Sequence, residues 1–390
     1  MNIILFSTAD WDNPFWTNKQ HMAKTFEENG HRVIYIDSLG LRKPTATAKD
    51  FSRILKRLKS FILPYSKVSN NIWRVSPFIL PFHNVKAVSF FNKWFLFFVV
   101  RLLSFFLNFK KVVIWTYSPI TDDIVDLFEK ELLVYHCVDD LRASPGIDSD
   151  MIEKRENNLA LKSDFIFTTS QALYDRLLPI NKQTFYFNNV CDYKHFAQAK
   201  ENIFEEPYDL KSIIGKRILF IGALSSYKVD FQLIASIAKK KPNWNWVLIG
   251  EIGEGEPLTN IEPLKDLINI HFLGPKSYTE LPIYLQYCDV CVIPAQLNQY
   301  TESMFPMKFF EYLSAGKQVV TTDLSSLKLY ETIYFNSETD EDFLKKLALI
   351  LEDKKNKDKD KILEICLKQT WQKRYEEMMK MLDKNKLESK

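Results

Sequence analysis

The stretch Pro306-Met-Lys-Phe-Phe-Glu-Tyr-Leu-Ser-Ala-Gly-Lys-Gln-Val-Val320 holds the residues best spaced for chemistry. Pro306 suits a helix start and Gly316 its end. Lys308 and Glu311, three apart, share one face of the first turns. A helix N-terminus with a lysine can hold phosphate, and a carboxylate one turn on can hold ribose hydroxyls. The same spacing also fits an ordinary surface Lys–Glu pair. Cys288-Asp-Val-Cys291 invites a metal or redox reading, but it lies in an apolar run with no second Cys or His pair. Buried thiols fit it better.

Short apolar strands alternate with helical patterns, which predicts parallel sheets with crossover helices. In the first half strands are expected at Asn2–Phe6, Arg32–Ile36, Val112–Trp115, Leu132–His136, Phe165–Thr168 and Thr184–Phe187. The helix Asn18–Asn29 lies among them, with Gly30 as its cap. A loop, Ala197–Leu210, with four acids and Pro207 leads to a second series. Its strands are Arg217–Ile221, Asn245–Ile249, Ile268–Leu273, Val290–Pro294 and Gln318–Thr321, and its helices Phe231–Lys240, Tyr278–Cys288, Lys308–Ala315 and Asp340–Leu351. Two open α/β domains are expected, with substrates at the carboxyl ends of their strands. The division expected is 1–205, 206–365 and a helical tail 366–390 packing back toward the first domain.

The chain has 390 residues, 46% of them hydrophobic and 26% charged, so it can bury large cores and is not disordered. Five scattered cysteines make no disulfide framework, and the opening Met1-Asn-Ile-Ile-Leu-Phe-Ser is expected to form a first buried strand rather than a signal peptide. The expectation is a cytoplasmic protein. Charge is uneven: Arg42 to Lys111 carries fourteen basic residues against the single acid Asp50, a local charge of +13. With Trp73, Trp94 and many Phe interleaved, segment 42–111 suits an anionic partner, the aromatics favouring lipid over nucleic acid, or else a solvated basic face with its Phe packed inward. Val88 to Phe109 is long enough to cross a bilayer, but Lys93 and Arg101 interrupt it. It reads as a buried helix of the first domain or a helix seated in the membrane interface.

The Pro306–Gly316 stretch resembles the donor-binding motif of retaining glycosyltransferases of the GT-B fold, in glycosyltransferase family 4 and its relatives. That resemblance implies two facing Rossmann-like, doubly wound domains with a cleft between them. Glu311 matches the second of the family's glutamate pair; the first falls on Ser303, with Glu302 beside it. Arg217-Ile-Leu-Phe-Ile-Gly-Ala-Leu-Ser-Ser-Tyr-Lys-Val-Asp230 is similar to the first strand and loop of the donor domain. Gly222 stands for the loop glycine and Lys228 for the lysine that meets the donor diphosphate, while Ala223 replaces a frequent arginine. Asn243–Gly250, His271–Gly274, Cys288–Pro294 and Asn189–Phe196 fit other family segments, so the likeness covers almost the whole chain. On the acceptor side the resemblance points to His136 and Asp139 in Leu133-Val-Tyr-His-Cys-Val-Asp-Asp140, with Tyr117 where another family histidine stands. A core histidine and a loop or helix-capping aspartate remain the other readings of those residues.

The resemblance implies a hexosyltransferase moving sugar from a nucleotide diphosphate donor, a UDP-sugar, to a lipid-linked or growing glycan of a bacterial surface polysaccharide. Asp139, His136 and Lys308 are the catalytic candidates; Gly222, Lys228, Glu302, Ser303, Lys308 and Glu311 are the donor-binding ones. No cofactor and no metal are expected, since no Asp-x-Asp stands in a donor position. Segment 42–111 is expected to hold the protein on the inner face of the plasma membrane. A nucleotide-sugar epimerase and an inactive membrane-associated partner subunit are the alternatives.

Overall fold

The structure is a computed structural model that describes residues 1–40, 65–80, 85–201, 203–254, 256 and 259–388. Two compact units emerge: residues 1–187 with 375–390, and residues 188–374. The break thus comes before the one expected after residue 205. The reason is packing: Asn189 Nδ2 donates to the Phe305 carbonyl at 2.7 Å, Cys191 Sγ meets Ser314 Oγ at 3.2 Å, and Phe196 is fully buried beside Leu210. The tail is shared as well. Cys366 belongs to the second core, whereas Tyr375 Oη sits 2.6 Å from His31 Nε2 in the first unit.

The first unit runs β1 (Asn2–Phe6), α1 (Asn18–Glu28), β2 (Arg32–Ile36), β3 (Tyr65–Lys67), β4 (Ile72–Val75) and α2 (Lys86–Phe106). It continues with β5 (Val112–Thr116), β6 (Leu132–Cys137), α3 (Ser149–Lys162), β7 (Phe165–Thr168), α4 (Gln171–Leu177) and β8 (Thr184–Tyr186). Its sheet has the order β3-β4-β2-β1-β5-β6-β7-β8, parallel except for β3 against β4. The order reverses between β1 and β5, where ligands of such sheets collect. β5 is buried at every residue, which explains its unbroken Val-Val-Ile-Trp-Thr run. One face is packed by α2, α3 and α4. The edge strand β3 and its neighbour β4 were not expected from sequence. They lie inside the basic segment, and Lys67 and Arg74 mask their apolar residues.

The second unit begins with α5 (Tyr193–Ala197), α6 (Tyr208–Lys211), β9 (Lys216–Ile221), α7 (Phe231–Lys240), β10 (Trp244–Ile249), β11 (Ile270–Gly274), α8 (Leu281–Gln286) and β12 (Val290–Ile293). After these come α9 (Gln299–Glu302), α10 (Lys308–Ser314), β13 (Val319–Thr322), β14 (Phe335–Ser337), α11 (Asp340–Leu351) and α12 (Lys359–Lys368), while α13 (Trp371–Glu388) starts in this unit and from Tyr375 onward belongs to the first. The all-parallel order β11-β10-β9-β12-β13-β14 reverses between β9 and β12. The expected helix Tyr278–Cys288 is split into a 3-10 turn at Tyr278–Glu280 and α8, with Pro282 in the first turn of α8. β14, a three-residue edge strand, was also unforeseen.

Candidate functional site

In the second unit the chain leaves β9 through Gly222, whose N–H donates to the Ile249 carbonyl at 2.9 Å. A Cβ on Gly250 would fall 1.8 Å from the Gly222 carbonyl oxygen, so only glycine lets these two strand ends cross. The loop then turns at buried Ser225, whose carbonyl accepts from Lys228 N–H at 2.9 Å. The Lys228 carbonyl accepts in turn from Gln296 N–H at 3.0 Å. The ammonium of Lys228 lies 5.2 Å over the Tyr227 ring and 5.4 Å over Tyr300, two rings packed edge to face. Asn298 joins the pieces. Its Oδ1 caps α9 and its Nδ2 donates to the Tyr227 carbonyl at 2.7 Å.

The expected donor residues follow directly along the chain. Glu302 is exposed at the end of α9, and Ser303 is buried, its N–H donating to the Tyr300 carbonyl at 3.2 Å. No second carboxylate is therefore buried where the family pattern has one. α10 starts at Lys308, and Lys308 Nζ donates to Glu311 Oε2 at 2.8 Å. The Glu311 side chain is 2% exposed against 21% for Lys308. Glu311 Oε1 is buried with no hydrogen-bond partner among the described residues. Nearby Tyr278 is pushed well above the ordinary phenol range, by burial first and also by the charge of Glu311. α10 has only seven residues, so its dipole is weak. Gly316 ends it at φ +76°, a conformation that favours glycine.

In the first unit Asp139 follows β6 and meets Lys19 Nζ at 3.5 Å. Lys19 is 5% exposed, enters from the first turn of α1, and also lies 5.7 Å over the Tyr117 ring. His136 is not placed beside them at the surface. It is 2% exposed, stacked on Tyr117 at 4.8 Å with Trp115 and Phe167 edge-on. Alternation along β6 turns it into this aromatic layer, opposite Tyr135 and Cys137, so it offers a ligand no face in this arrangement. Asp140 is engaged too. Burial pushes its carboxyl up, but the Arg142 fork at 2.9 and 2.7 Å outweighs that and holds it below the usual range. Sequence reasoning missed Lys19, Tyr300 and Asn298. The Thr17/Gln20 capping pair, in which Gln20 Oε1 accepts from Thr17 N–H at 3.0 Å, was the one local signal fixing where Lys19 stands.

All five cysteines are buried and unbridged, and burial raises the Cys288 thiol to about 12. Among the described residues no three His, Cys, Asp or Glu side chains are grouped to hold a metal ion. Residues 41–64, with seven of the fourteen basic residues of the segment, lie outside the described residues. Within the described part, Arg74 turns inward to Asp37 at 2.7 Å and to Asp12.

Two parallel-sheet Rossmann-like domains, with a lysine loop after the first strand of the second and a Lys–Glu helix before its fifth, define a GT-B glycosyltransferase fold. Residues 211–363 match the family of glycosyl transferases group 1. The second unit carries that domain, and the chain as a whole resembles the GT-B enzymes of glycosyltransferase family 4 and their relatives. It is 23% identical over 347 residues to a Bacillus subtilis protein named for teichuronic acid biosynthesis, glycosyltransferase TuaH, covering 85% of this chain and 83% of TuaH. Sucrose-phosphate synthase of Thermosynechococcus elongatus shares its fold over 100% of both chains, with 14% identity and a TM-score of 0.68. HepE of Anabaena, solved in complex with UDP-glucose, matches 98% of this chain and all of its own at 14% identity and a TM-score of 0.68.

Proposed function

We propose that this protein transfers a hexose from a nucleotide diphosphate sugar, a UDP-hexose, to a lipid-linked or growing glycan in the assembly of a bacterial surface polysaccharide. The observation that carries the reading is Glu311: buried, held through Oε2 by Lys308, with Oε1 still able to accept. Leaving such an atom unmatched costs about 1–3 kcal/mol. A ribose diol offers the two hydroxyl donors that would satisfy it. Lys228 and Lys308 then balance the departing diphosphate, with no metal required and the anomeric configuration retained. The likeness to TuaH supports a polysaccharide acceptor, and the likeness to HepE, solved with UDP-glucose, supports the donor class. On the acceptor side, the 3.5 Å approach of Lys19 to Asp139 supports this pair as the one that meets an acceptor hydroxyl. A lipid-linked acceptor puts the working position at the inner face of the plasma membrane.

Thermal-shift titration with UDP-, GDP- and dTDP-sugars tests the donor. Stabilisation by a UDP-sugar above the other two is expected; no response to any nucleotide sugar refutes donor binding. Ala223 and Ser303, where an arginine and a glutamate are common, favour one second reading, an inactive partner subunit, which would give that null response.

A further inference from the structure

Helix α2 is apolar on two opposite faces. Leu96, Val99, Val100 and Leu103 are buried in the first core, while Phe90, Trp94, Phe98, Leu102 and Phe106 recur every fourth residue on the other side. With Phe105 these six are 45–77% exposed. At 100° per residue the two sets fall on opposite sides of the helix. The roll of the helix is fixed: the Asn92 side chain bonds both backbone groups of Leu80, at 3.0 and 2.8 Å. The C-terminal end is fixed too, with Phe109 N–H on the Ser104 carbonyl at 2.8 Å and Asn108 N–H on Phe105 at 3.0 Å. The outward rings present on the order of 600–800 Å² of apolar surface, more than the largest patch of most monomers.

The charge carried by α2 and its flanks is basic, with Lys93 meeting Asp123 at 4.0 Å and Lys111 meeting Glu131 at 3.9 Å. No Asp or Glu occurs between Asp50 and Asp122. Arg101 is exposed on the helix, and Lys110 and Lys111 are exposed just past its end. A protein partner would more often supply both signs; a bilayer with anionic headgroups supplies only negative charge beside an apolar layer. We infer that the outward face of α2 is a membrane-insertion surface, lying flat in the interface of a bilayer that carries anionic lipid. The helix does not cross it, because its other face is part of the protein core. Arg101 reaches the headgroups from the edge of the face while the rings enter the acyl boundary. The inference deepens the membrane part of the proposed function and is independent of its sugar chemistry.

The test uses the full chain and vesicles of phosphatidylcholine with or without phosphatidylglycerol. The parent should float with the anionic vesicles and bind neutral ones at least about tenfold more weakly. Brominated acyl chains should quench tryptophan emission in the parent and much less in Trp94→Phe. Phe98→Ser with Phe105→Ser, both at exposed positions, should lower partitioning roughly 100-fold with an unchanged melting temperature. The inference is overturned if the parent does not float or if Trp94 is not quenched in bound protein. It is equally overturned if the double variant binds like the parent, or if sedimentation shows a dimer of this chain that the two substitutions dissociate. UDP binding measured on the same samples keeps the two readings apart: flotation and quenching without UDP binding would refute the donor assignment and leave this one standing.

Discussion

Glu311→Ala separates a ligand-binding carboxylate from a structural ion pair, because the two roles predict opposite balances of affinity and stability. Each charge-assisted hydrogen bond from a ribose hydroxyl contributes about 1.5–3 kcal/mol. Losing one should therefore weaken UDP binding roughly 10- to 100-fold. The cost to the fold should be small. The carboxylate is buried with one oxygen on Lys308 and the other unmatched, so its removal relieves a desolvation penalty. Lys308, 21% exposed, can take water in place of its lost partner. A change in unfolding free energy within about 1 kcal/mol is expected.

Calorimetric titration with UDP, with GDP and dTDP in parallel, measures the first quantity and urea unfolding the second. Glu311→Gln keeps the shape and one carbonyl acceptor, so its affinity should lie between parent and Ala. If Glu311 served only the fold, breaking the buried pair would cost about 3–5 kcal/mol. The folded fraction would then bind UDP normally. Unchanged UDP affinity in Glu311→Ala refutes the assignment.

Lys308→Ala should lower turnover by about 10²–10³ and ground-state donor binding by less, because charge grows on the leaving diphosphate. EDTA should leave the parent active; abolition by EDTA with rescue by Mn²⁺ or Mg²⁺ and a nearly silent Lys308→Ala would refute leaving-group stabilisation by lysine. Neutralising Arg53, Lys56, Arg57 and Lys59 should weaken binding to anionic vesicles by about 1 kcal/mol per charge and spare activity on a short soluble acceptor; equal loss of both refutes a membrane role for these residues. His31 is held down to about 4, by burial and then by the neighbouring N-terminal ammonium. The unfolded chain takes up this proton nearer the ordinary 6.5, so it binds more protons between those values and stability should fall as pH drops through that window. His31→Gln should flatten that slope in urea melts, and an unchanged slope would rule the residue out.

The sequence legibility of this fold follows burial. Strands covered on both faces, such as β1, β5 and β9, must be apolar almost throughout, and their runs stand out. Strands at or next to a sheet edge need only half a face. In β4 the pattern Ile-Trp-Arg-Val buries Ile72 and Val75 while Arg74 serves Asp37, and a reading by charge assigns the whole stretch to a surface. α2 was ambiguous for the opposite reason. Apolar residues all round a helix signify burial or lipid, and here one face is buried while the other is exposed.

The two candidate groups differ in the same way. Lys308 and Glu311 are three residues apart on one helix, so their contact is a consequence of helical geometry and can be read locally. Lys19 stands 120 residues before Asp139, with Tyr117 on a third segment between them, and only the parallel order of β1, β5 and β6 gathers their strand ends. His136 shows what the local reading loses. Only Cys137, the last residue of β6, and Val138 separate it from Asp139, yet strand alternation aims it into the ring layer under Tyr117. A polar residue near a strand end is a candidate for chemistry only once its face is known. In a parallel sheet that face is decided by neighbours which the sequence places far away.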